Sequence, residues 1–130
     1  MLSLKSSNSD SAVEFSDVEG DRFRVSVVAR DHSASRIVYA YTDAFGIPAL
    51  FGQAAQEWRG WDGGKVWQSI EGELQLALSH DRRGHVTLRI RLRSDPGGAD
   101  SWMHEAEIGL DSGQLEAIAL NAKTVWGAGG

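Results

Sequence analysis

Apolar and polar residues alternate in two segments of residues 73–93, on either side of a polar turn, which predicts two strands joined by a tight turn. The turn is Asp81-Arg82-Arg83-Gly84, with Asp at the first position of a type I turn and Gly at the fourth, where a left-handed conformation is expected. If Asp81 pairs with His85, one face of the hairpin is apolar apart from the histidine next to the turn. The pairs on that face are His80 with Val86, Leu78 with Leu88, Leu76 with Ile90 and Leu74 with Leu92.

The opposite face of the hairpin is polar. Arginines at 89, 91 and 93 share it, and Glu73 lies opposite the last of them as an opposite-charge pair. A later strand, Trp102 to Leu110, is predicted to pair antiparallel with this arginine strand. Its Glu105 and Glu107 then lie beside the arginines, so the outer face is predicted to be a ladder of Glu and Arg.

Three alternating segments upstream predict a meander of strands: Val13 to Phe15, Phe23 to Ala29 and Ile37 to Tyr41. Elsewhere the period changes from two to about 3.6 residues, which indicates two helices. The first runs from Ile47 to Trp58, and the second follows Asp111, with Gln114 as its capping-box partner. The predicted buried stripes are Ile47, Leu50, Phe51, Ala54, Ala55 and Trp58 in the first helix, and Leu115, Ile118, Ala119 and Ala122 in the second.

This order, βββα twice, predicts an α+β fold. We expect a two-layer sandwich in which two helices cover one face of a six-stranded, largely antiparallel sheet. A single domain is expected over residues 12–126, with a flexible tail at 1–11 and a flexible end at 127–130.

Composition narrows the range of functions. A length of 130 residues suits one domain, and the absence of cysteine excludes disulfides and thiolate chemistry. A net charge of -5 argues against nucleic acid or an anionic membrane as the partner. No apolar run has the length of a signal peptide or approaches the roughly 18 residues of a membrane span, so a cytoplasmic location is expected.

The residues that usually carry catalysis or bind metals are scattered. His80 and His85 point to opposite faces of the hairpin, and His104 is displaced from His80 by about 14 to 20 Å along the sheet. Glu71 and Glu73, if both lie in one strand, are about 7 Å apart, which suits an acid and base pair, but Glu73 is already matched to an arginine. The sequence therefore predicts no catalytic residue, no metal site and no cofactor.

The tryptophans are harder to explain. Trp58 belongs to a helix stripe and Trp102 to a core-facing strand position, so we expect both in the core. Trp61 and Trp67 bracket a Gly-rich loop, and the strand parity that buries Val66 puts Trp67 on the opposite face. Exposed tryptophan is a common anchor for a partner. The alternative is that these two residues close the open end of the core.

Several strings resemble a known family. They are Trp58-Arg-Gly-Trp61, Trp67-Gln-Ser-Ile-Glu-Gly-Glu-Leu74, His80-Asp with Gly84-His-Val86, and Trp102. The pattern W-x-x-W, W-x-S-x-E-G-x-L and H-D-x-x-G-H-V resembles that of small actinobacterial proteins catalogued as a domain of unknown function, over about residues 15–126. The resemblance implies no activity and supplies no catalytic residue.

The sequence favours a non-enzymatic module that binds a protein partner and binds neither nucleic acid nor a membrane. Small domains of this general composition also occur as immunity partners of secreted toxins, which is an analogy only. The predicted binding residues are Trp61, Asp62, Trp67, Ser69 and Glu71. One alternative is a small-ligand or enzymatic pocket near Ser69, Glu71 and His104. Another is a structural homo-oligomer built by pairing sheet faces or edges.

Overall fold

A computed structural model describes residues 2–7, 9–19, 22–29, 33–39, 46–69, 72–94 and 102–126. In the first half, four strands precede a helix: β1 (Leu2–Lys5), β2 (Ala12–Glu19), β3 (Arg22–Val28), β4 (Ser33–Tyr39) and α1 (Gly46–Gln56). In the second half, four strands and a 3-10 turn (Ser112–Gln114) precede a helix: β5 (Lys65–Gln68), β6 (Leu74–His80), β7 (His85–Arg93), β8 (Met103–Asp111) and α2 (Leu115–Trp126).

The strands form two four-stranded antiparallel sheets, in the orders β1-β2-β3-β4 and β5-β6-β7-β8. The α+β class, the antiparallel pairing and two helices are confirmed for the described residues. The single six-stranded sheet and the βββα order are wrong, because each half carries one more strand than the pattern indicated. Both missed strands, β1 and β5, have only 4 residues, too few to show a clear alternation.

Strand β1 lies within the stretch that the sequence placed in a flexible tail. Leu2 and Leu4 are buried and pair with Phe15 and Val13 of β2. The prediction of a tail is therefore wrong for Leu2–Lys5, since two leucines in a Ser-rich segment are enough to anchor an edge strand. The predicted flexible end at 127–130 lies outside the described residues.

The β6–β7 hairpin has the predicted register, with Leu78 opposite Leu88 and Leu74 opposite Leu92. The tight connection ends with Gly84 in the left-handed region at a φ of 89°, as expected. The type I turn is wrong at Arg82, whose φ is 63°. The Arg82 backbone N–H donates to Nδ1 of His80 at 2.7 Å, a local bond that holds this conformation.

The outer face of the second sheet carries the predicted ladder of charges. Arg89 pairs with Glu107 at 3.2 Å and Arg91 with Glu105 at 2.9 Å, between β7 and β8. Glu73 does not join this ladder. Its carboxylate is buried and accepts a hydrogen bond from the Ser69 hydroxyl at 2.5 Å. The predicted Glu73 to Arg93 ion pair is therefore wrong, although the Arg93 backbone N–H does donate to the Glu73 carbonyl at 2.9 Å.

Both helices and both sheets contribute to one core. Helices α1 and α2 pack against each other, and they also contact β5 and β1 respectively. The predicted stripe of α2 is buried, and the helix starts as expected, because the Gln114 side chain accepts the Asp111 backbone N–H at 2.8 Å. At its other end, Trp126 packs edge-on against Phe15 and Phe23, with ring centroids 5.5 Å apart in each case.

Arg36 of β4 joins the two sheets. Its half-buried guanidinium donates to the carbonyl oxygens of Arg93 and Ser94, at the end of β7, and to that of Ile37 beside it. A second junction lies after β1, where the Ser7 backbone N–H donates to the Gly109 carbonyl at 2.8 Å. These bonds hold the two sheets in one arrangement around the shared core.

Candidate functional site

The loop that the sequence proposed as a binding site is packed against the protein. Trp61 and Trp67 are each only 6% exposed and belong to the core. Trp67 lies opposite Leu76, whereas Val66 is 55% exposed, so the predicted parity is wrong. The chain reverses between β5 and β6, where the Ser69 backbone N–H donates to the Leu74 carbonyl, and a parity count cannot be carried through such a reversal.

Trp61 attaches the loop to the β6–β7 hairpin. Its indole N–H donates to the Leu78 carbonyl at 3.3 Å, and its ring meets the His80 imidazole edge-on with centroids 5.1 Å apart. The Lys65 ammonium lies 5.3 Å from the Trp61 ring centroid and pairs with Glu57 at 2.5 Å. Of the two interpretations of Trp61 and Trp67, the burial favours closure of the core.

His80 fixes the position of the chain just before Trp61. Because Nδ1 accepts the Arg82 backbone N–H, the proton of the neutral ring belongs on Nε2, which donates to the Trp58 carbonyl at 2.8 Å. Gly60 has a φ of 136°, and a Cβ there would lie 2.8 Å from Cγ of Arg82. The close approach of loop and hairpin therefore requires glycine at this position.

Trp58 is the exposed tryptophan of this loop, at 51%. The sequence placed it in the buried stripe of α1, which is wrong, because the helix ends at Gln56 and the next turn closes with a bond from the Gly60 N–H to the Glu57 carbonyl at 2.8 Å. The Arg59 guanidinium lies 5.2 Å from the Trp58 ring centroid. Trp58 is thus held at its backbone, while its ring faces outward.

A cleft of about 230 Å³ opens beside Trp58. Its lining joins the end of α1 to the start of α2 and consists of Ala55, Trp58, Ser112, Gly113 and Glu116. We call this surface the Trp58 cleft. Among the described residues of the lining, Glu116 alone is ionisable, so the cleft combines an aromatic ring with a carboxylate.

The other predicted binding residues do not converge on one place. Asp62 is exposed and pairs with Arg82 at 2.6 Å, so it helps to hold the loop on the hairpin. The Ser69 hydroxyl is buried, donates to Glu73 and accepts the Leu74 backbone N–H at 3.0 Å. Glu71 lies outside the described residues.

The alternative pocket requires His104 to lie close to Ser69, and the structure does not bring these two residues together. Ser69 faces Leu74, Leu74 faces Leu92, and Leu92 faces His104 across the second sheet. Three strand spacings separate Ser69 from His104, which amounts to about 14 Å. A compact pocket built from these two side chains is therefore not formed.

Trp102 was expected in the core but is 42% exposed. It precedes β8 and pairs with Ser94, whose backbone N–H donates to the Trp102 carbonyl at 3.0 Å. This position lies beyond the last buried row of the sheet, which contains Leu74, Leu92 and His104. A face assignment from alternation therefore holds only as far as the core covers that face of the sheet.

Asp81 and His85 form a hydrogen-bonded pair, with 2.8 Å between Oδ2 and Nδ1. The other carboxylate oxygen accepts backbone N–H groups from Arg83 at 2.7 Å and His85 at 3.1 Å. The Arg83 N–H is the main cause that lowers the pKa of Asp81 to about 2, with smaller help from His85. These hydrogen bonds indicate that the Asp81–His85 pair stabilises the turn.

The described part of the chain shows neither a metal-binding cluster nor a membrane-spanning helix. No group of three or more His, Asp or Glu side chains is placed to hold a metal ion there. Neither described helix has the length and apolar content needed to cross a membrane.

The sequence model of a protein family matches residues 4–128, nearly the whole chain. The chain belongs to the DUF6228 family, a family of unknown function. No curated protein and no solved structure matches it. In this DUF6228 chain, the string around Trp58 and Trp61 lies directly on the string from His80 to Val86, so two separated motifs form one structural unit.

Sequence reasoning missed Trp58 in the DUF6228 chain because the apolar spacing of α1 continues through it. A signal was present in Gly60, since glycine commonly follows the end of a helix and the residues just before it are then outside the regular stripe. The buried bond between Ser69 and Glu73 had no such signal. Glu73 directly precedes β6, where the alternation predicts an outer-face position, and only the chain reversal brings the Ser69 hydroxyl to it.

Proposed function

We propose that this chain is a non-enzymatic protein-interaction module that binds its partner through the Trp58 cleft. The observation that carries the proposal is the exposure of Trp58 beside a cleft, while the neighbouring Trp61 is buried. Tryptophan is enriched among the residues that dominate binding energy at protein interfaces. A large apolar side chain that the core does not use is a natural contact for a partner.

The surroundings of Trp58 also support a binding role. Its carbonyl accepts from His80, and the following Gly60 and Trp61 are fixed against the hairpin. The backbone of the site is therefore ordered before a partner arrives. A preformed contact loses less conformational entropy on binding, which favours affinity.

Site-specific photo-crosslinking tests the proposal. A photoreactive amino acid replaces Trp58 in the full chain, which is produced in the cells that naturally make the protein. The matched control places the same group at Leu120 on α2, which is 64% exposed but outside the cleft. We expect a discrete crosslinked protein from position 58 and none from position 120, and competition by the purified unmodified chain should abolish it.

Equal crosslinking from both positions, or none from position 58, would contradict the proposal. A small molecule bound in the cleft is the competing outcome. It would appear as a ligand that copurifies with the wild-type chain and is lost from Trp58→Ala, without any protein crosslink.

A further inference from the structure

We infer that the Trp58 cleft recognises a basic side chain, an arginine or lysine, presented by the partner protein. This inference rests on the proposed function and specifies the chemistry of the occupant. Three observations lead to it: the Trp58 ring and the Glu116 carboxylate share one lining, a cation already lies against that ring, and the cleft has the size of one long side chain.

The first observation is the pairing of an aromatic face with an anion. An indole attracts a cation held within about 6 Å of its centroid, and a carboxylate on the other side of the cation adds a charge-assisted hydrogen bond. Trp58 and Glu116 both line the cleft. Because both side chains line one cleft, a guanidinium or ammonium group that enters it lies near an aromatic ring and a carboxylate, whereas an acidic group would be repelled by Glu116.

The second observation is the contact between Trp58 and Arg59. The Arg59 Cζ atom lies 5.2 Å from the ring centroid, so the ring accepts a cation within this chain. Arg59 is not part of the cleft lining, so no positive charge among the described lining residues balances the Glu116 carboxylate.

The third observation concerns the size of the cleft. Ala55 and Gly113 are small residues of the lining, and the volume of about 230 Å³ admits one long side chain but not a folded element. A single arginine or lysine side chain, whose aliphatic stem can lie along the apolar wall while its head reaches Glu116, has the matching length and polarity.

The inference is tested by titrating pentapeptides into the isotope-labelled full chain and following its indole N–H signals by NMR. The Trp58 signal is assigned as the one that disappears in Trp58→Phe. The probes are acetyl-Gly-Gly-Arg-Gly-Gly-amide and the same peptide with citrulline, the neutral isostere, in place of arginine. We expect the arginine peptide to shift the Trp58 signal saturably, and the citrulline peptide to bind at least about tenfold more weakly.

Two substitutions separate the cleft from general attraction to an acidic protein. Glu116→Gln removes the carboxylate of the cleft, and Glu107→Gln removes an equal charge from the outer sheet face. We expect about fivefold weaker binding of the arginine peptide for the first and less than a twofold change for the second. Equal weakening by both substitutions, or equal binding of the citrulline peptide, would overturn the inference.

Failure here is distinguishable from failure of the proposed function. If the crosslink from position 58 forms but the peptides do not discriminate charge, the cleft binds a protein by other chemistry and the inference is wrong. If the peptides discriminate as expected but no crosslink forms in cells, the chemistry of the cleft is supported and the proposed function is wrong.

Discussion

The guanidinium of Arg36 in β4 lies 2.6 Å from the carbonyl oxygen of Arg93 at the end of β7, so a side chain of the first sheet is bonded to the backbone of the second. Arg36→Met keeps the length of the side chain but leaves the carbonyls without this donor. We expect the free energy of unfolding to fall by about 1–3 kcal/mol. Chemical denaturation measures the loss.

Arg24 provides the matched control for Arg36, because its guanidinium is exposed and makes only long contacts in the described part of the chain. Its Nε lies 3.6 Å from the Asp17 carboxylate, and an Nη atom donates to the Ser35 hydroxyl at 3.4 Å. We expect Arg24→Met to change the free energy of unfolding by less than about 0.5 kcal/mol. Similar losses in both variants would mean that Arg36 contributes general charge effects and not a junction between sheets.

The two neighbouring tryptophans are expected to respond in opposite ways. Trp61→Ala removes a buried ring and the bond to the Leu78 carbonyl, so the free energy of unfolding should fall by about 3–5 kcal/mol. Trp58→Ala removes a half-exposed ring and should cost about 1 kcal/mol or less. Denaturant titrations of both variants make the comparison, and a loss for Trp58→Ala as large as that for Trp61→Ala would show that Trp58 is part of the core.

Glycine positions offer a steric test of how the loop meets the hairpin. Gly60→Ala places a Cβ 2.8 Å from Arg82 Cγ at a φ of 136°, so we expect a loss of about 1–3 kcal/mol. Gly52→Ala in α1 meets nothing within 4 Å and should stabilise the protein by about 0.5–1 kcal/mol through helix propensity. Thermal melts report both. The idea fails if Gly60→Ala melts at or above the wild-type temperature.

The turn between β6 and β7 gives stability a dependence on pH. The pKa of Asp81 is lowered from 3.8 to about 2 in the folded protein, mainly by the Arg83 backbone N–H. A lowered pKa means that the carboxylate stabilises the fold above about pH 4, and that this contribution is lost as the pH falls toward about 2. Asp81→Asn should therefore show a shallower decline of melting temperature than wild type between pH 4 and 2.

His85→Gln completes the pH experiment. The first cause of the lowered Asp81 pKa is the backbone N–H of Arg83, which this substitution retains. The Asp81 carboxyl should therefore still titrate well below 3.8 in the variant when followed by NMR. A return to an ordinary pKa would assign the main effect to the His85 side chain instead.

The sequence predicted correctly those parts of the fold in which several local signals agree. In the β6–β7 hairpin, the alternation of leucines and the position of Gly84 allow one register, and the structure has it. In α2, the stripe from Leu115 and the contact of Asp111 with Gln114 agree in the same way. A shift of one residue in either element would expose its apolar face to water.

The parts that could not be predicted depend on where the chain leaves regular structure. Trp58 is exposed because α1 ends two residues earlier, and Trp67 is buried because the chain reverses after Ser69. Both outcomes follow from backbone turns that the apolar pattern does not record. As a result, the candidate site moved from the predicted Trp61 and Trp67 to a neighbouring residue that the same loop positions.

The attachment of β1 to the far end of the chain constrains how this protein folds during synthesis. Gln114 donates to the Lys5 carbonyl at 3.3 Å, across 109 positions of sequence, and Trp126 covers Phe15 and Phe23. The strands of the first sheet leave the ribosome before α2 does. During that time Phe15 and Phe23 lack their contact with Trp126. The first sheet therefore reaches its final packing only after residue 126 has been translated and α2 has emerged from the ribosome. Before that point its apolar surface is exposed, so this is the stage at which a chaperone would bind.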